Sequence, residues 1–415
     1  MKQARVTIII PAWNLWEITR SCLFSLKDHT PLELIHILVA DNGSTDETAT
    51  SLEPLGTSLF GGGFSRLRLP ENLGFAKACN VGAQAAETPY ILFLNNDTLV
   101  TENWLPPLLA ELEPDESLGG AGPLLAYPEN NLTQHCGIAL TPDLSLSHLY
   151  AFFPAEHPAV RKKRRLQAIT AAALLMRRDD FMGCGGFFEG FLNGYEDVDL
   201  CGRLLKAGKH FSCVAASRVV HLESSTPGRK DKETHNANLL RDRSREFFRP
   251  DLVSLAAEDG FTAKLNPRLN CILKLPESLE QELSRRFRPD AGPKPSDCWA
   301  VLQANPLWQG GYAILIRMLE QAGNVLGAFE ASRLEANIFP NPMSWGRLKK
   351  LALAAGHADT FEIAAKHLDF WLESARDHAG LMRRAQKQLA WAREKGFADV
   401  EALYAEWIAA YSGGA

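Results

Sequence analysis

The sequence predicts an α/β fold, with a mostly parallel sheet between helices, followed by an all-α C-terminal domain. Between "VTIII" and "YILFL", apolar strand-like runs alternate with helix patterns, which is typical of a sheet covered by helices on both faces. The early strands end in polar or glycine-bearing residues, namely "PAWN", "DNGS", "ENLG" and "NND". Beyond the linker-like residues 288–297, strand signals vanish and helix patterns continue. Because ligands bind beyond the carboxyl ends of such strands, we expect the four loops to converge on one functional rim.

The first predicted elements follow in order along the chain. After "VTIII", a helix over residues 15–29 places Leu15, Ile18, Cys22 and Leu26 on one face. The strand "LIHILVA", the helix "TDETATSL", the strand "RLRL", the small-residue helix "GFAKACNVGAQAA" and the strand "YILFL" come next. This succession is the basis for the α/β prediction.

The middle section carries shorter strands and one strong helix pattern, "DVDLCGRLLKAG". Its apolar residues share one face: Val198, Cys201, Leu204 and Leu205. Gly208 supplies the C-terminal stop. "FSCVAA" and "RVVHL" read as two further strands.

The domain borders follow from these patterns. We place an α/β domain at residues 1–250, a connecting segment at 251–300 and a helical domain at 301–415. Within the last, "LEQAG" recurs loosely as "ALAAG", with a spacing of 33 residues from Gly323 to Gly356. Both a degenerate tetratricopeptide-like repeat and a plain helical bundle fit this pattern.

Composition narrows the classes of partner. The chain has 415 residues, 46% hydrophobic and 22% charged, with a net charge of −5, so no general attraction to nucleic acid is expected. No stretch reaches membrane length. The eight cysteines form no CxxC pair and read as small apolar residues of a reducing compartment. We therefore expect a cytoplasmic protein, with peripheral contact at the inner face of a membrane left open.

The strand ends supply candidate binding residues. In "VADNGSTDET", a turn and a helix cap explain Gly43 to Glu47 but leave Asp41 facing the rim, where a base or ribose presents donors. In "PENLGFAKACNVG", Asn72 and Gly74 precede a helix whose first amides suit phosphate oxygens. Tight packing of the helix explains its small residues equally well.

The stretch "YILFLNNDT" ends a buried strand in three polar residues. A capped turn is one explanation. The other is that Asp97 holds a hard divalent cation whose remaining ligands come from a diphosphate. Asn95 and Asn96 then donate hydrogen bonds to sugar or ribose hydroxyl groups.

Two further stretches carry candidates for chemistry. In "GYEDVDLCGR", the acids Glu196, Asp197 and Asp199 suit a first helical turn, or one of them serves as general base for a hydroxyl nucleophile. His221 ends a strand and precedes a loop in which Arg229 has the charge to close over a diphosphate. The basic run "RKKRR" reads more simply as a solvated surface loop.

Six stretches in order resemble the family 2 glycosyltransferases of the GT-A fold, in particular their bacterial rhamnosyltransferase-like branch. They are "IIIPAWN", "VADNGSTDET", "ENLGFAKACNVG", "ILFLNNDT", "GGFFEGFLNGYEDVDLCGRLLKAG" and "VVHLESS". The resemblance covers roughly residues 5–230 and does not extend to the helical region.

The resemblance implies a role for each candidate residue. Asp41 would bind the base, framed by Pro11, Trp13 and Asn14. The nucleotide cleft would be lined by Asn72, Gly74 and Phe75. Asp97 would bind Mg or Mn through the diphosphate, with His221 as a second ligand or a diphosphate contact. Asp197 would deprotonate the acceptor, and Glu196 would help to hold acceptor or base in place.

The implied activity is inverting transfer of a sugar from a nucleotide diphosphate-sugar to an acceptor hydroxyl. A UDP- or dTDP-sugar is favoured, because an aspartate hydrogen bond suits uracil or thymine. The acceptor would belong to a surface glycan, a lipid-linked oligosaccharide or a protein. The alternative is a vestigial transferase domain that acts as a scaffold through its C-terminal helices, which are also the expected site of a protein partner or homodimer contact.

Overall fold

The structure is a computed structural model that describes residues 4–222, 233–287, 293–374 and 377–412. The chain divides into two compact units. The N-terminal unit comprises Met1–Ala139, Leu146–Ala151 and Pro158–Arg249, and the C-terminal unit comprises Leu140–Ser145, Phe152–His157 and Pro250–Ala415. Among the described helices, none combines the length and the apolar composition that crossing a bilayer requires.

Before residue 250 the structure has eleven described strands and eight described α-helices. The strands are β1 (Val6–Ala12), β2 (Ile35–Asp41), β3 (Phe64–Arg68), β4 (Tyr90–Leu94), β5 (Thr98–Val100), β6 (Leu118–Ala126), β7 (Thr133–His135), β8 (Ile138–Leu140), β9 (Leu146–His148), β10 (Ala173–Arg177) and β11 (His210–His221). The helices are α1 (Trp16–His29), α2 (Thr48–Phe60), α3 (Phe75–Ala85), α4 (Leu105–Leu112), α5 (Pro158–Arg161), α6 (Arg178–Gly183), α7 (Glu196–Lys206) and α8 (Glu233–Arg243).

The main sheet confirms the α/β prediction and is mixed in strand direction. Its order is β3-β2-β1-β4-β10-β6-β11-β5, with β7 paired to β6. The first four strands are parallel, whereas β10 runs antiparallel to both β4 and β6. The winding direction reverses between β1 and β4, which is where open α/β sheets form a ligand crevice.

One strand prediction is wrong in detail. "FSCVAA" and "RVVHL", expected as two strands, form the single strand β11. The register of β11 against β6 shifts between Val214 and Arg218, but pairing continues on both sides of this irregularity. A bulge lengthens one strand locally without ending it, and the sequence pattern alone does not distinguish this from a break.

The core of the N-terminal unit lies on both faces of β1. Ile8 and Ile10 belong to a cluster with residues of α1 and α4. On the other face, Gly82 lets α3 approach closely, because a Cβ atom there would lie 2.5 Å from Cγ2 of Ile9. The small residues of α3 therefore serve packing against the sheet, as the alternative explanation of that stretch expected.

The C-terminal unit is mainly helical. Its described elements are α9 (Leu252–Glu258), β12 (Thr262–Leu265), β13 (Cys271–Lys274), α10 (Glu277–Arg286), α11 (Pro295–Ala304), α12 (Gln309–Gln321), α13 (Val325–Ile338), α14 (Pro342–Ala354), α15 (Ala358–Ser374), α16 (His378–Lys395) and α17 (Ala398–Tyr411). Residues 251–300, predicted as a connecting segment, therefore carry the β12–β13 hairpin and three helices. From residue 301 onward all described elements are helices, as predicted.

Three helix pairs pack in succession: α12 with α13, α14 with α15 and α16 with α17. A glycine with positive φ follows the first helix of each pair, at Gly323, Gly356 and Gly396. Glycine adopts this conformation at little cost and therefore commonly ends a helix. The repeated turn explains the recurrence seen in the sequence, and a tetratricopeptide-like repeat stays a prediction.

Candidate active site

The loops after β1 and β2 are joined by hydrogen bonds. Oδ1 of Asn14 accepts from the backbone N–H groups of Thr45 (2.8 Å) and Asp46 (3.3 Å). The Asn14 N–H donates to Oγ of Ser44 at 2.9 Å. Asn14 adopts a φ of 54°, which asparagine tolerates better than most residues. Asn14 thus ties the two loops together.

The other two residues predicted to frame the base lie at the end of β1. Pro11 is part of this strand and half-buried, and Trp13 follows it with 41% of its surface exposed. An exposed tryptophan at the carboxyl edge of a sheet offers a flat apolar face to a ligand. Its contact with a base stays a prediction.

Asp41 ends β2 with its side chain fully buried among donors. Oδ2 accepts from both Arg66 and Arg68 on β3, and Oδ1 accepts from the Ser44 N–H at 2.9 Å. Burial by itself raises the pKa of Asp41, but the hydrogen bonds from Ser44 and Arg66 outweigh it and hold the pKa below its usual value. Any base contact at this position would therefore be shared with Arg68, whose side chain is about half exposed.

The loop after β3 is anchored by Asn42. Its Nδ2 donates to Oδ1 of Asn72 at 2.9 Å and to the carbonyl oxygen of Gly74 at 3.2 Å, and its Oδ1 accepts from the Leu73 N–H at 2.9 Å. Gly43 permits this contact, because a Cβ atom there would lie 2.5 Å from Cα of Glu71. The second and third loops thus touch through their backbones.

The start of α3 contacts the loop that precedes α7. The Phe75 N–H donates to Oδ1 of Asn193 at 3.3 Å. Further along α3, Nδ2 of Asn80 donates to the carbonyl oxygen of Phe187 at 2.8 Å and to Glu189 at 3.0 Å. The glycine- and aromatic-rich loop before α7 is therefore held against α3, whose first residue is expected to line the nucleotide cleft.

Asp97 and His221 meet at the ends of β4 and β11. Nε2 of His221 lies 3.2 Å from Oδ1 of Asp97 and 3.4 Å from Nδ2 of Asn95. Nδ1 of His221 lies 2.6 Å from Oε1 of Gln134 on β7. Asp97 and His221 are 7% and 8% exposed, so this group of polar atoms is largely shielded from solvent.

The two asparagines before Asp97 point to different partners. Asn95 contacts His221, and its Oδ1 is buried without a hydrogen-bond partner among the described residues. Nδ2 of Asn96 instead donates to Oγ1 of Thr19 on α1 at 2.8 Å. Of the two, Asn95 therefore lies with Asp97, while Asn96 links this loop to α1.

The three acids at the start of α7 have separate environments. Asp197 is half-buried, and its carboxylate accepts from the N–H groups of Ala171 (3.0 Å) and Val198 (2.9 Å). Glu196 is buried and accepts from the Gly194 N–H at 2.6 Å.

Asp199 is fully buried and pairs with Arg203 (2.9 Å) and Arg243 (3.1 Å). It also accepts from Oγ of Ser244 at 3.0 Å. Asp199 thus belongs to a buried ionic network, whereas Asp197 keeps access to solvent.

A short backbone stretch connects the Asp97 loop to Asp197. The Asn95 N–H donates to the carbonyl oxygen of Ala172 at 2.9 Å, and the adjacent Ala171 N–H donates to Oδ2 of Asp197. The predicted metal ligand and the predicted base are therefore held by neighbouring residues of one segment. Arg229, predicted to close over a diphosphate, lies outside the described residues.

Several residues of this site belong to no sequence motif and were therefore not among the predicted site residues. Arg66 and Arg68 alternate along β3 and so share the face beside Asp41, which is a signal that strand periodicity provides. Asn42 was not among the candidate residues. Gln134 lies in a three-residue strand with no distinctive pattern, so its contact with His221 becomes visible only in the fold.

Comparisons with known proteins agree with this geometry. The family model described as glycosyl transferase family 2 matches residues 7–181. The O-antigen biosynthesis protein RfbC of Myxococcus xanthus is 29% identical over 54% of this chain and 18% of that protein. The N-acetylglucosaminyl-diphospho-decaprenol L-rhamnosyltransferase of Mycobacterium tuberculosis is 27% identical over 49% of this chain and 71% of that protein.

The matched relatives also include much longer proteins. This chain spans 26%, 18% and 42% of the length of the first three curated relatives. The solved structure of GalNAc-T7 with UDP, GalNAc and Mn2+ is 18% identical with a TM-score of 0.48, over 59% of this chain and 49% of that chain. A likeness at that level assigns neither donor nor metal. The N-terminal unit contains a glycosyl transferase family 2 domain, matched over residues 7–181, and its mixed sheet covered by helices agrees with the α/β fold.

Proposed function

We propose that this chain is an inverting glycosyltransferase that moves a sugar from a nucleotide diphosphate-sugar to an acceptor hydroxyl group. The observation that supports this best is the approach of His221 Nε2 to Asp97 Oδ1, at 3.2 Å, at the end of β4. A carboxylate oxygen suits a divalent cation such as Mg or Mn, and the imidazole nitrogen beside it would be an additional ligand or a diphosphate contact. Family membership of the domain supports the same reaction class.

The residues present fit such a cation. The buried Oδ1 of Asn95, without a partner among the described residues, adds an oxygen beside the pair. No group of three or more His, Cys, Asp or Glu side chains in the described part of the chain is arranged to hold a metal ion. Asp97 and His221 would therefore hold the cation together with donor phosphate oxygens and water. When bound, it would stabilise negative charge on the leaving diphosphate.

The loops after β1, β2 and β3 would form the binding site for the nucleotide-sugar donor. Asp41, flanked by Pro11, Trp13 and Asn14, would orient the base, with Arg68 sharing the contact. The third loop and the start of α3 (Asn72, Gly74 and Phe75) would line the nucleotide cleft, where the positive end of the helix dipole favours phosphate. Asn95 and Asn96 would contact sugar or ribose hydroxyl groups, and Arg229 would contact the diphosphate.

Asp197 would act as the general base. Its carboxylate is oriented by two backbone N–H groups and keeps solvent access, so it has room to take the proton of an acceptor hydroxyl group. A single displacement with the base on one side of the anomeric carbon and the leaving group on the other inverts the configuration. Glu196 would support the loop that holds the acceptor, through its bond to Gly194.

We take UDP- or dTDP-sugars as the donors, in which case the N–H of uracil or thymine would share Oδ2 of Asp41 with Arg66 and Arg68. For the acceptor, the O-antigen biosynthesis and decaprenol-linked rhamnosyltransferase relatives support surface glycan or lipid-linked oligosaccharide, and a polypeptide N-acetylgalactosaminyltransferase relative supports protein. Action in the cytoplasm, with peripheral contact at the inner membrane face for a lipid-linked acceptor, is part of the proposal. Cell fractionation tests this location.

A donor panel tests the activity. The full chain is incubated with UDP-, dTDP- and GDP-sugars and Mg or Mn, and released nucleotide is measured with and without chelator. Chelator-sensitive release from one donor class supports the proposal. The absence of release and of calorimetric binding for every donor would contradict it.

A scaffold function is the second candidate, and one observation favours it. The C-terminal unit exposes large apolar side chains, including Met343 (72%) and Leu353 (69%). Such side chains suit a protein partner or a homodimer contact. A scaffold with a vestigial transferase domain would bind no nucleotide-sugar, so the same calorimetry separates the two candidates.

A further inference from the structure

We infer that Gln134 is a positioning residue that sets the tautomer of His221, so that the Nε2 lone pair faces Asp97. This inference rests on the proposed function only in taking His221 and Asp97 as ligands of a cation. The contacts that carry it are those of Gln134 with both the ring and the backbone of His221.

The orientation of the Gln134 amide follows from its backbone contact. One end of the amide lies 3.3 Å from the carbonyl oxygen of His221. A carbonyl oxygen only accepts hydrogen bonds, so this end must be the NH₂ group. The other end, Oε1, then faces Nδ1 of His221 at 2.6 Å.

The proton position in the imidazole follows from the amide orientation. Oε1 only accepts, so Nδ1 of His221 must carry the hydrogen. In the neutral ring the lone pair then lies on Nε2. This nitrogen faces Oδ1 of Asp97 at 3.2 Å. Two acceptors at that distance repel each other unless a proton or a metal cation lies between them, and metal-binding histidines commonly donate their other N–H to such a partner.

The strands hold both residues in place independently of their side chains. Gln134 lies on β7 and His221 on β11, and both strands pair with the end of β6, at Leu125 and Ala126. Gln134 is 7% exposed, so little water competes for its hydrogen bond to His221. Replacing the Gln134 side chain therefore changes the ring contact while the backbone pairing persists.

The first test measures Mn2+ binding to the full chain by electron paramagnetic resonance, with Mn2+ alone and with added UDP or dTDP. Gln134→Leu removes the acceptor and should weaken Mn2+ binding roughly 10- to 100-fold. Gln134→Glu loses the donor to the His221 carbonyl oxygen but keeps an oxygen acceptor for Nδ1–H, and should therefore bind Mn2+ more tightly than Gln134→Leu. Thr133→Val is the matched control on the same strand: its hydroxyl is buried without a described partner, so its loss should leave Mn2+ affinity unchanged.

The second test reads the tautomer directly in metal-free protein. With ¹⁵N-labelled histidine at mildly alkaline pH, two-bond ¹H–¹⁵N spectra distinguish a protonated Nδ1 from a protonated Nε2. His221 is assigned by the signals lost in His221→Gln. The wild type and Gln134→Glu should show hydrogen on Nδ1, and Gln134→Leu should lose this preference.

The outcomes separate this inference from the proposed function. Wild-type Mn2+ affinity in Gln134→Leu overturns the inference and leaves the proposed function standing. If the wild type binds no Mn2+ under any condition, the proposed role of Asp97 and His221 as metal ligands is wrong. The tautomer spectra then remain as the test of the role of Gln134. A wild-type ring protonated on Nε2 or on both nitrogens, or an Nδ1 preference that survives in Gln134→Leu, overturns the inference. The inference is supported if Gln134→Leu loses the preference for hydrogen on Nδ1 while the wild type and Gln134→Glu keep it.

Discussion

The Nε2 atom of His221 lies 3.2 Å from the Oδ1 atom of Asp97, and backbone pairing fixes the two residues from both sides. His221 is paired with Thr98 between β11 and β5. The Leu222 N–H donates to the carbonyl oxygen of Asp97 at 2.9 Å. Because the strands hold this geometry, either side chain can be changed without displacing the other.

Asp97→Asn should reduce sugar transfer roughly 100-fold or more, because an amide oxygen is a weaker cation ligand than a carboxylate. The measurement is steady-state transfer at saturating donor over a range of Mn2+ concentrations. Asp242→Asn makes the same chemical change on a largely exposed side chain and should leave the rate unchanged. Full activity of Asp97→Asn would remove this residue from the metal role.

Asp197→Asn should lower transfer by about 10²- to 10⁴-fold, the usual contribution of a general base. The amide can still accept one of the two backbone N–H groups that now bind the carboxylate, so the fold should persist. Single-turnover kinetics isolates the chemical step, and circular dichroism checks folding. A folded variant with wild-type rate would refute the role of Asp197.

Asp199→Asn should have a different effect, although Asp199 is only two residues further along α7. Its fully buried carboxylate neutralises Arg203 and Arg243, and breaking such a pair costs about 3 kcal/mol of unfolding free energy. The loss is measured by urea unfolding. Transfer per folded molecule should stay close to wild type at a temperature where the variant remains folded, and a large fall there would mean that Asp199 takes part in the chemistry.

The stability of the protein should fall in acid partly through Asp41. The folded state holds the pKa of Asp41 below its ordinary value of 3.8, so the unfolded state binds the proton more readily and protonation favours unfolding. The stabilisation is complete above the unfolded pKa and is lost as the pH falls through the lower folded pKa.

Asp41→Asn removes this titration. Urea unfolding from neutral pH down to about pH 3 should therefore give a shallower acid decline for the variant than for the wild type. Equal slopes for the two proteins would show that Asp41 titrates normally in the folded state.

Gly43→Ala should destabilise the fold more than Gly208→Ala. Both glycines have positive φ, 75° and 81°, which costs another residue about 1–2 kcal/mol. A Cβ atom at Gly208 meets open space, whereas one at Gly43 would lie 2.5 Å from the Glu71 backbone, which adds about 1–3 kcal/mol. Thermal unfolding of both variants measures the difference, and equal losses would contradict the close contact.

The sequence predicts helices and strands correctly where a single local pattern determines the structure. The helix expected at residues 15–29 is α1 (Trp16–His29), and "YILFL" is β4. Shorter strands were expected in the middle section, but the three-residue strands β7, β8 and β9 could not be located in it, because so short a segment has no periodicity of its own. Their pairing is decided by neighbours that are distant in sequence.

The same distinction applies to the candidate site. Asp97 and His221 stand out because each ends an apolar strand in polar residues, and the fold brings them together. The partner of His221 could not be foreseen, because Gln134 reaches it across β6 from another strand. Likewise, Asp41 appeared as an open acceptor in the sequence, whereas the pairing of β2 with β3 surrounds it with arginine donors.

The segment around Ala171 and Ala172 fixes the distance between the loop that carries Asp97 and the proposed general base, Asp197. The carbonyl oxygen of Ala172 accepts from the Asn95 N–H, and the Ala171 N–H donates to Asp197. Because these two residues are adjacent in the chain, the geometry of one peptide segment determines the spacing between the Asp97 loop and Asp197. A one-residue deletion there would shift the register and separate the two functions, whatever sugar the pockets accept.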